Sequence, residues 1–246
     1  MDKEKRDAIL RWWKEKGIQN GDDLRKAMRG RDTLLAFHTN RLDFPEVTLE
    51  LTEDIFYRGT VKGYTGEART LFVIQDAKYA WNYFVNAFDQ MRPLDESLVK
   101  DLHHELTVGT YDEEMYLHGE WPGEYKIGDY VTGRYEVGAP PEDVPDEIRE
   151  LLDELNDVPG DQILTVAAYF HVKFENIHGF ADGNGRVGRL LMNYFLVNQD
   201  HPVIIIHEGD RKQYMEALEA WDRVQDLKPM KEFLEEQMIK TWEEEL

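Results

Sequence analysis

The sequence predicts a mostly α-helical fold with one small β element, and three observations support this prediction. Hydrophobic residues recur at helical spacing through most of the 246 residues. Residues 121–141 break that pattern, because clustered glycines and prolines alternate there with Tyr and Val. The chain has neither an internal repeat nor a low-complexity linker. A single helical architecture with one extended insertion is therefore expected.

The periodic segments predict ten helices. They cover residues 3–16, 31–43, 49–57, 67–90, 94–107, 143–157, 161–177, 185–197, 208–222 and 227–244. Pro45 should end the second of these, because the residue before a proline avoids helical geometry. Thr48 or Thr52 would cap the third. Residues 121–141 fit a β-hairpin or an extended flap.

Composition narrows the classes of function. Hydrophobic residues make up 41 % of the chain, enough for a packed core, and the formal net charge of −21 disfavours general nucleic-acid binding. The absence of cysteine excludes disulfides, thiolate zinc sites and thiol nucleophiles. The start, MDKEKRDAIL, lacks the apolar region of a signal peptide, and no apolar run approaches the ~18 residues of a membrane span. A soluble cytoplasmic protein without a membrane partner is expected.

The run HGFADGNGRVGR, from His178 to Arg189, holds the main functional signal. Gly183, Asn184 and Gly185 lie between two helical segments, so a helix should begin with its free N–H groups and positive dipole end facing this loop. Such a helix start is a ready anion site. Arg186 and Arg189 follow at i and i+3, and together they suit a polyphosphate.

Two further side chains in this run suit phosphate chemistry. Asp182 precedes the glycine loop, and Mg²⁺ bound to a polyphosphate typically uses one or two carboxylates. His178 ends the preceding helix and has an ordinary pKa near ~6.5, so a neutral imidazole there can take a proton near neutral pH.

Structural explanations of the same residues stay open at this point. The two arginines could lie on a solvated surface, although that would not explain the glycines. Asp182 could make a local turn contact, and a lone histidine is often a packed or capping residue.

Two common nucleotide-binding motifs are excluded. Gly183, Gly185 and Gly188 spell G-x-G-x-x-G, but the dinucleotide-binding fingerprint needs a strand before the glycines, and the preceding segment is periodic at helical spacing. A phosphate-binding loop of the G-K-[ST] type is absent as well.

At these residues the sequence resembles the Fic (Fido) family. The family pattern is H-x-F-x-[DE]-G-N-G-R-x-x-R, and its fixed positions are filled by His178, Phe180, Asp182, Gly183, Asn184, Gly185, Arg186 and Arg189. The resemblance covers most of the chain and implies the helical Fic core with a small β-hairpin flap at residues 123–138. The family transfers AMP from ATP to a Ser, Thr or Tyr hydroxyl of a target protein and releases pyrophosphate.

The resemblance also implies a role for each motif residue. His178 would be the base that activates the hydroxyl, and Asp182 would position Mg²⁺. Asn184 and the backbone of residues 183–185 would hold the α- and β-phosphates. Arg186 and Arg189 would bind the β- and γ-phosphates.

Two features depart from the family pattern or vary within it. Gly179 follows His178 where proline is usual, and it does not fix φ as proline would. Many members carry an inhibitory helix, and residues 39–44, called here the inhibitory segment, partly match its pattern. Thr39 fits, Asp43 stands in for Glu, and Phe44 replaces a small residue. Two interpretations of this segment stay open: it inhibits nucleotide binding, or it belongs to a helix that only packs on the core.

The predicted organisation has three parts: residues 1–60 with the inhibitory-like helix, a Fic core at 61–199, and C-terminal helices at 200–246 that pack on it. A target protein would dock on the flap, and a homodimer is compatible with exposed apolar residues in the N-terminal helices. The main functional hypothesis is AMP transfer, with self-modification and autoinhibition. The alternatives are a Fic enzyme that removes AMP or transfers another phosphate-linked group, and a catalytically weak nucleotide-dependent interaction module.

Overall fold

The computed structural model describes residues 3–155 and 158–246. Within these residues the chain forms twelve α-helices: α1 Lys3–Glu15, α2 Gly21–Ala27, α3 Arg31–Arg41, α4 Leu49–Glu53, α5 Ala68–Asp89, α6 Glu96–Thr107, α7 Glu113–Leu117, α8 Val144–Asp153, α9 Ile163–Ile177, α10 Asn184–Asn198, α11 Arg211–Val224 and α12 Lys228–Trp242. The predicted mostly helical fold is confirmed. None of the helices among these residues is long and apolar enough to cross a membrane.

The ends of the predicted helices differ from the observed ones by a few residues. Thr48 caps α4, since its side chain accepts a hydrogen bond from the N–H of Leu51 at 3.2 Å. A π-helical turn, Asp54–Arg58, continues that segment. The helix predicted at 143–157 ends earlier, as α8, and its last two residues lie outside the described part of the chain.

Two short helices were not predicted. The helix α2 has seven residues and α7 has five, which is too short for a hydrophobic period to stand out. Each begins at a polar cap: Asn20 accepts from the N–H of Asp23, and Asp112 accepts from the N–H of Met115. These caps were the sequence signal that periodicity alone missed.

The prediction of a β-hairpin flap is wrong for the backbone. Within the described residues, the flap, residues 123–138, contains one antiparallel bridge, between Thr132 and Val137, and no strand ladder. Gly133 and Glu136 have φ values of 70° and 50°. Both residues lie in the turn that this bridge closes, and within the described residues no further bridge continues the pairing beyond it.

Side chains hold the flap where a ladder would otherwise do so. The ammonium of Lys126 donates to the carbonyl of Tyr130 at 2.7 Å. The buried carboxylate of Glu120, which lies just before the flap, accepts from the N–H groups of Ile127 at 3.1 Å and Gly128 at 3.0 Å. The flap is therefore an irregular loop with internal polar support.

The core positions the functional run between two buried helices. The helix α9 packs against α10, and α10 also contacts α3, α5 and α6. Almost every residue of α10 is buried, including its two arginines. The loop that joins α9 to α10 is therefore anchored at both ends in the interior of the protein.

Candidate active site

His178 directly follows α9 in a backbone conformation that turns the chain into the next loop. Its φ of 50° and ψ of 55° are left-handed values, uncommon for a residue with a side chain. Both neighbouring carbonyls are bonded to the flap region: Lys126 N–H donates to Gly179 at 2.9 Å, and Ala139 N–H donates to Ile177 at 2.8 Å. The backbone on either side of the imidazole is thus fixed by residues at the two ends of the flap.

Gly179 is restrained although it is not a proline. A Cβ built at this position would lie 3.1 Å from a methyl carbon of Val144, so the chain packs closely against α8 here. Together with the hydrogen bond to its carbonyl, this contact supplies a restraint that the sequence did not reveal.

The imidazole of His178 is partly buried and neutral near pH 7. Its Nδ1 atom is buried and has no hydrogen-bond partner among the described residues. Burial and then the positive charge of Lys126 lower the pKa of His178 from 6.5 to about 4, while the carboxylate of Asp182 opposes this change. A neutral imidazole can accept a proton, so the geometry is compatible with a general base.

The loop after His178 is held by stacked aromatic rings. Phe180 is fully buried, and its ring stacks on His103 with centroids 3.7 Å apart and planes within 6°. The N–H of Gly123 donates to Nδ1 of His103, so Nε2 carries the proton and donates to the carbonyl of Asp182 at 2.9 Å. Burial lowers the pKa of His103 to about 3, which keeps this bridge neutral.

Asn184 closes the loop through its side chain. Its amide oxygen accepts from the N–H of Phe180 at 2.9 Å, and its amide nitrogen donates to the carbonyl of Phe180 at 2.7 Å. The side chain is therefore occupied within the loop, and the backbone of this residue is the part available to a ligand.

The helix α10 begins at this loop with open N–H groups. Its first bond runs from the N–H of Val187 to the carbonyl of Gly183 at 3.0 Å, so residues 184–186 have no intrahelical acceptor for their N–H groups. Gly183 has a φ of 85°, and a Cβ there would lie 2.6 Å from Thr107. Only glycine fits this close turn, which leaves the helix start accessible to an anion.

The two motif arginines are buried, so the alternative of a solvated arginine face is wrong. Arg186 is 2 % exposed and Arg189 is 4 % exposed. The guanidinium of Arg186 donates to the carbonyl of Leu106 at 3.3 Å and to the carboxylate of Asp182 at 3.2 Å. Buried guanidinium groups need such partners, because an unpaired charge in the interior is costly.

Arg189 is bound to the inhibitory segment. It donates to the hydroxyl of Thr39 at 2.7 Å, to the carbonyl of Thr39 at 3.0 Å and to the carboxylate of Asp43 at 3.1 Å. The expected contact between Asp43 and the second motif arginine is therefore present, although aspartate is shorter than glutamate.

Phe44 contacts the other side of the same charged cluster. Its ring has the guanidinium carbon of Arg186 at 5.1 Å and that of Arg69 at 5.6 Å from its centroid. Arg69 also lies 3.5 Å from the carboxylate of Asp182. The unusual aromatic residue in the inhibitory segment thus packs against two arginines.

Sequence reasoning missed Glu175 and Tyr214, which both line the cleft beside Arg189. The hydroxyl of Tyr214 bonds to the buried ring of His171 at 2.8 Å and accepts from Arg189 at 3.4 Å. Burial raises the pKa of Glu175 to about 7, although Arg189 acts in the opposite direction. Neither residue lies in the glycine-rich run. The sequence around each of them contains no pattern that predicts a position facing this run.

Asp182 has the chemistry and the location for a magnesium ligand. Its side chain is 32 % exposed, Oδ1 accepts from the N–H of Gly183 at 2.7 Å, and Oδ2 pairs with Arg186 and Arg69. No group of three or more acidic or histidine ligands occurs in the described part of the chain. A Mg²⁺ ion there would therefore need phosphate oxygens as further ligands, which is its usual mode in nucleotide sites.

These groups surround one open cleft of about 280 Å³. The cleft is lined by His178, Asp182 and the start of α10, and also by Met215 and Leu218 of α11. This volume lies near the lower end of the roughly 300–1,000 Å³ common for small-molecule sites. A cleft with an anion site, buried cations and a neutral base at its edge suits phosphate-group chemistry.

Comparisons with known proteins agree with the motif. Residues 93–196 match the model of the Fic/DOC family. The protein adenylyltransferase fic-1 of Caenorhabditis briggsae is 27 % identical over 222 residues, which cover 86 % of this chain and 41 % of that protein. A probable protein adenylyltransferase of Aquifex aeolicus is 38 % identical over 141 residues, which cover 56 % of this chain and 43 % of that protein. The chain thus spans about two fifths of the length of these curated relatives.

A solved structure shares the fold over nearly the whole chain. A Fic-domain signalling protein from Bacteroides thetaiotaomicron superposes with a TM-score of 0.77 at 23 % identity, covering 96 % of this chain and 93 % of that one. The shared architecture extends beyond residues 93–196 into the flanking helices. The chain therefore has the fold of this Fic-domain protein, and residues 93–196 are similar to the Fic/DOC family.

Proposed function

We propose that this protein transfers AMP from ATP to a hydroxyl side chain of a target protein. The observation that carries the proposal is the convergence, in one cleft, of a neutral histidine, an open helix start and two buried arginines. The names of the related adenylyltransferases support the same activity. The N-terminal part would carry the inhibitory segment, and the core would carry the chemistry.

His178 is the base in this proposal. The neutral imidazole takes the proton of the target hydroxyl while the hydroxyl oxygen attacks the α-phosphorus of ATP. A new phosphorus–oxygen bond forms to the target, the bond to the β-phosphate oxygen breaks, and pyrophosphate leaves. Positioning and electrostatics supply most of the catalysis in such transfers.

The start of α10 and the arginines hold the phosphates. The free N–H groups of residues 184–186 face the α- and β-phosphates, with Asn184 contributing through its backbone. Arg186 and Arg189 bind the β- and γ-phosphates. Asp182 would hold Mg²⁺, which neutralises negative charge on the phosphates when it is bound.

The inhibitory segment restrains the activity. Arg189 has its donors directed at Thr39 and Asp43, so a γ-phosphate must compete with them for the same guanidinium. Because the Asp43 side chain is 43 % exposed, this competition is weaker than it would be for a fully buried pair. Self-modification would then rise when the contact is removed.

The flap is the docking surface for the target. Several of its large apolar side chains are exposed, namely those of Ile127, Tyr130, Val131 and Tyr135. Thr132 lines the cleft, so a target segment on the flap would reach the region of His178. Apolar contacts and the free backbone groups of the irregular loop would hold an extended segment there.

The test uses ATP labelled at the α-phosphate, with Mg²⁺, on the Asp43→Ala protein and on the Asp43→Ala/His178→Ala protein. Label on the first protein but not on the second supports AMP transfer by His178. Equal label on both proteins contradicts the role of the histidine. Label that appears only with γ-labelled ATP indicates phosphate transfer, and nucleotide binding without any label favours an interaction module.

A further inference from the structure

Lys126 is a buried cation that the proposed mechanism does not use. The residue is 2 % exposed, and it forms no ion pair with the described residues. Its ammonium donates to the carbonyl of Tyr130 at 2.7 Å, and burial lowers its pKa, although Asp129 and Glu120 oppose this. A buried cation without a direct ion pair costs free energy, so such a residue is of interest where it lies beside a candidate base.

Lys126 links the inside of the flap to the backbone beside His178. Its side chain bonds to Tyr130 on one leg of the flap and reaches Gly138 on the other, where a Cβ would lie 3.2 Å from the ammonium. Its own backbone N–H donates to the carbonyl of Gly179 at 2.9 Å. One residue therefore connects both legs of the flap with the residue that follows His178.

We propose that Lys126 is a positioning residue for His178, which holds the flap against the backbone beside the imidazole and places a buried positive charge near it. The position of the flap and the protonation state of His178 are coupled through this side chain. A target segment that settles on the flap would then meet an imidazole that is already neutral and correctly placed.

The charges around His178 agree with this role. The groups that act on the imidazole are Lys126 from the flap and Asp182 from the loop before α10, and they act in opposite directions. Burial is the largest cause of the lowered pKa of His178, and it already favours the neutral imidazole that can accept a proton. Lys126 adds to the effect of burial and offsets the opposite effect of Asp182.

The test follows the titration of His178 by NMR of the imidazole carbon–proton pair in the full chain, assigned by comparison with His178→Ala. Lys126→Met should raise the pKa of His178 by about one pH unit, because the nearby positive charge is lost. Lys126→Arg keeps the charge and should leave this pKa close to that of the wild type. Lys126→Gln is a second uncharged variant, and it keeps a hydrogen-bond donor on a slightly shorter side chain.

Glu120→Ala separates the charge from the support of the flap. It removes the acceptor for Ile127 and Gly128 but keeps the cation, so the pKa of His178 should move less than in Lys126→Met. Equal pKa changes in Glu120→Ala and Lys126→Met would overturn the role of the charge. An unchanged pKa in both Lys126→Met and Lys126→Gln would overturn the proposal as a whole.

A kinetic readout rests on the proposed function. With AMP transfer as the assay, Lys126→Met should lower kcat about tenfold or more and shift the acid limb of the pH profile upward, while KM for ATP changes little. Lys126→Arg should recover most of kcat. If the wild type transfers no AMP, the proposed function fails, whereas the NMR titration still decides the placement of Lys126.

Discussion

The two ends of the cleft differ in how their functional groups are paired. At one end, Arg189 has its donors directed at Thr39, Asp43 and Tyr214. At the other end, the Nδ1 atom of His178 has no partner among the described residues, and the imidazole is neutral. The guanidinium of Arg189 is thus occupied by the protein's own side chains, whereas the imidazole of His178 is neutral and its Nδ1 atom is unpaired within the described part of the chain.

The difference follows from the cost of burying charge. A buried guanidinium stays charged, so it requires acceptors when no phosphate is bound. An imidazole can lose its proton instead, and burial then costs much less. In the proposed reaction, regulation would act on Arg189 through competing acceptors, while His178 would need only correct placement.

Gly183→Ala should have the largest effect on stability and labelling, because Gly183 lies in the turn between His178 and Arg189. An alanine there must adopt a φ of 85°, which costs about 1–3 kcal/mol, and its Cβ would also lie 2.6 Å from Thr107. We expect a lower free energy of unfolding in urea and loss of labelling from ATP. Gly209→Ala is the matched control, since a Cβ there has no atom within 4 Å. Equal stability of the two variants would contradict the tight turn.

Asp43→Ala sharpens the comparison at the arginine end. Removing the carboxylate frees one donor of Arg189, so self-labelling and ATP affinity should rise about three- to tenfold. Glu46→Ala, which removes an exposed acid nearby, should change neither. Isothermal titration with ATP and Mg²⁺ checks the affinity. Unchanged affinity in Asp43→Ala would mean that the inhibitory segment only packs on the core.

Glu175→Gln should have the smallest effect on labelling, and its main effect should be a change in the pH dependence of stability. The pKa of Glu175 is raised from 4.5 to about 7, so the folded state binds more protons between these values and loses stability as pH rises through this window. The glutamine of the variant does not titrate, so the stability of the variant should fall less steeply with rising pH than that of the wild type. The difference in slope is at most about 1.4 kcal/mol per pH unit. Urea unfolding between pH 4.5 and 7 measures it, with Glu216→Gln as the exposed control. Identical pH slopes in wild type and Glu175→Gln would be inconsistent with a raised pKa.

The sequence predicted the elements of the site better than their surroundings. The run from His178 to Arg189 predicts its own local geometry. Glycines before a helix indicate a tight turn, and arginines at i and i+3 lie about one helical turn apart. The helical core was also predictable, because the hydrophobic periodicity of long segments such as α5 and α9 indicates which face of each helix is buried. These features are local in sequence.

Contacts between distant segments could not be predicted in this way. Lys126 and Tyr214 become part of the site because separate loops and helices meet there, and no local pattern marks them. The flap was misjudged because alternating Tyr, Val and Gly residues resemble a hairpin, whereas Lys126 and Glu120 support an irregular loop instead. The buried state of Arg186 likewise depends on helices far away in sequence.

The central claim is that His178 and the start of α10 serve one transfer of AMP. The most direct measurement is intact mass spectrometry of the Asp43→Ala protein after incubation with ATP and Mg²⁺, beside the same protein carrying His178→Ala. We predict a mass increase of whole AMP groups on the first protein and no increase on the second. An increase of a single phosphate group, or the same AMP increase on both proteins, would contradict the claim.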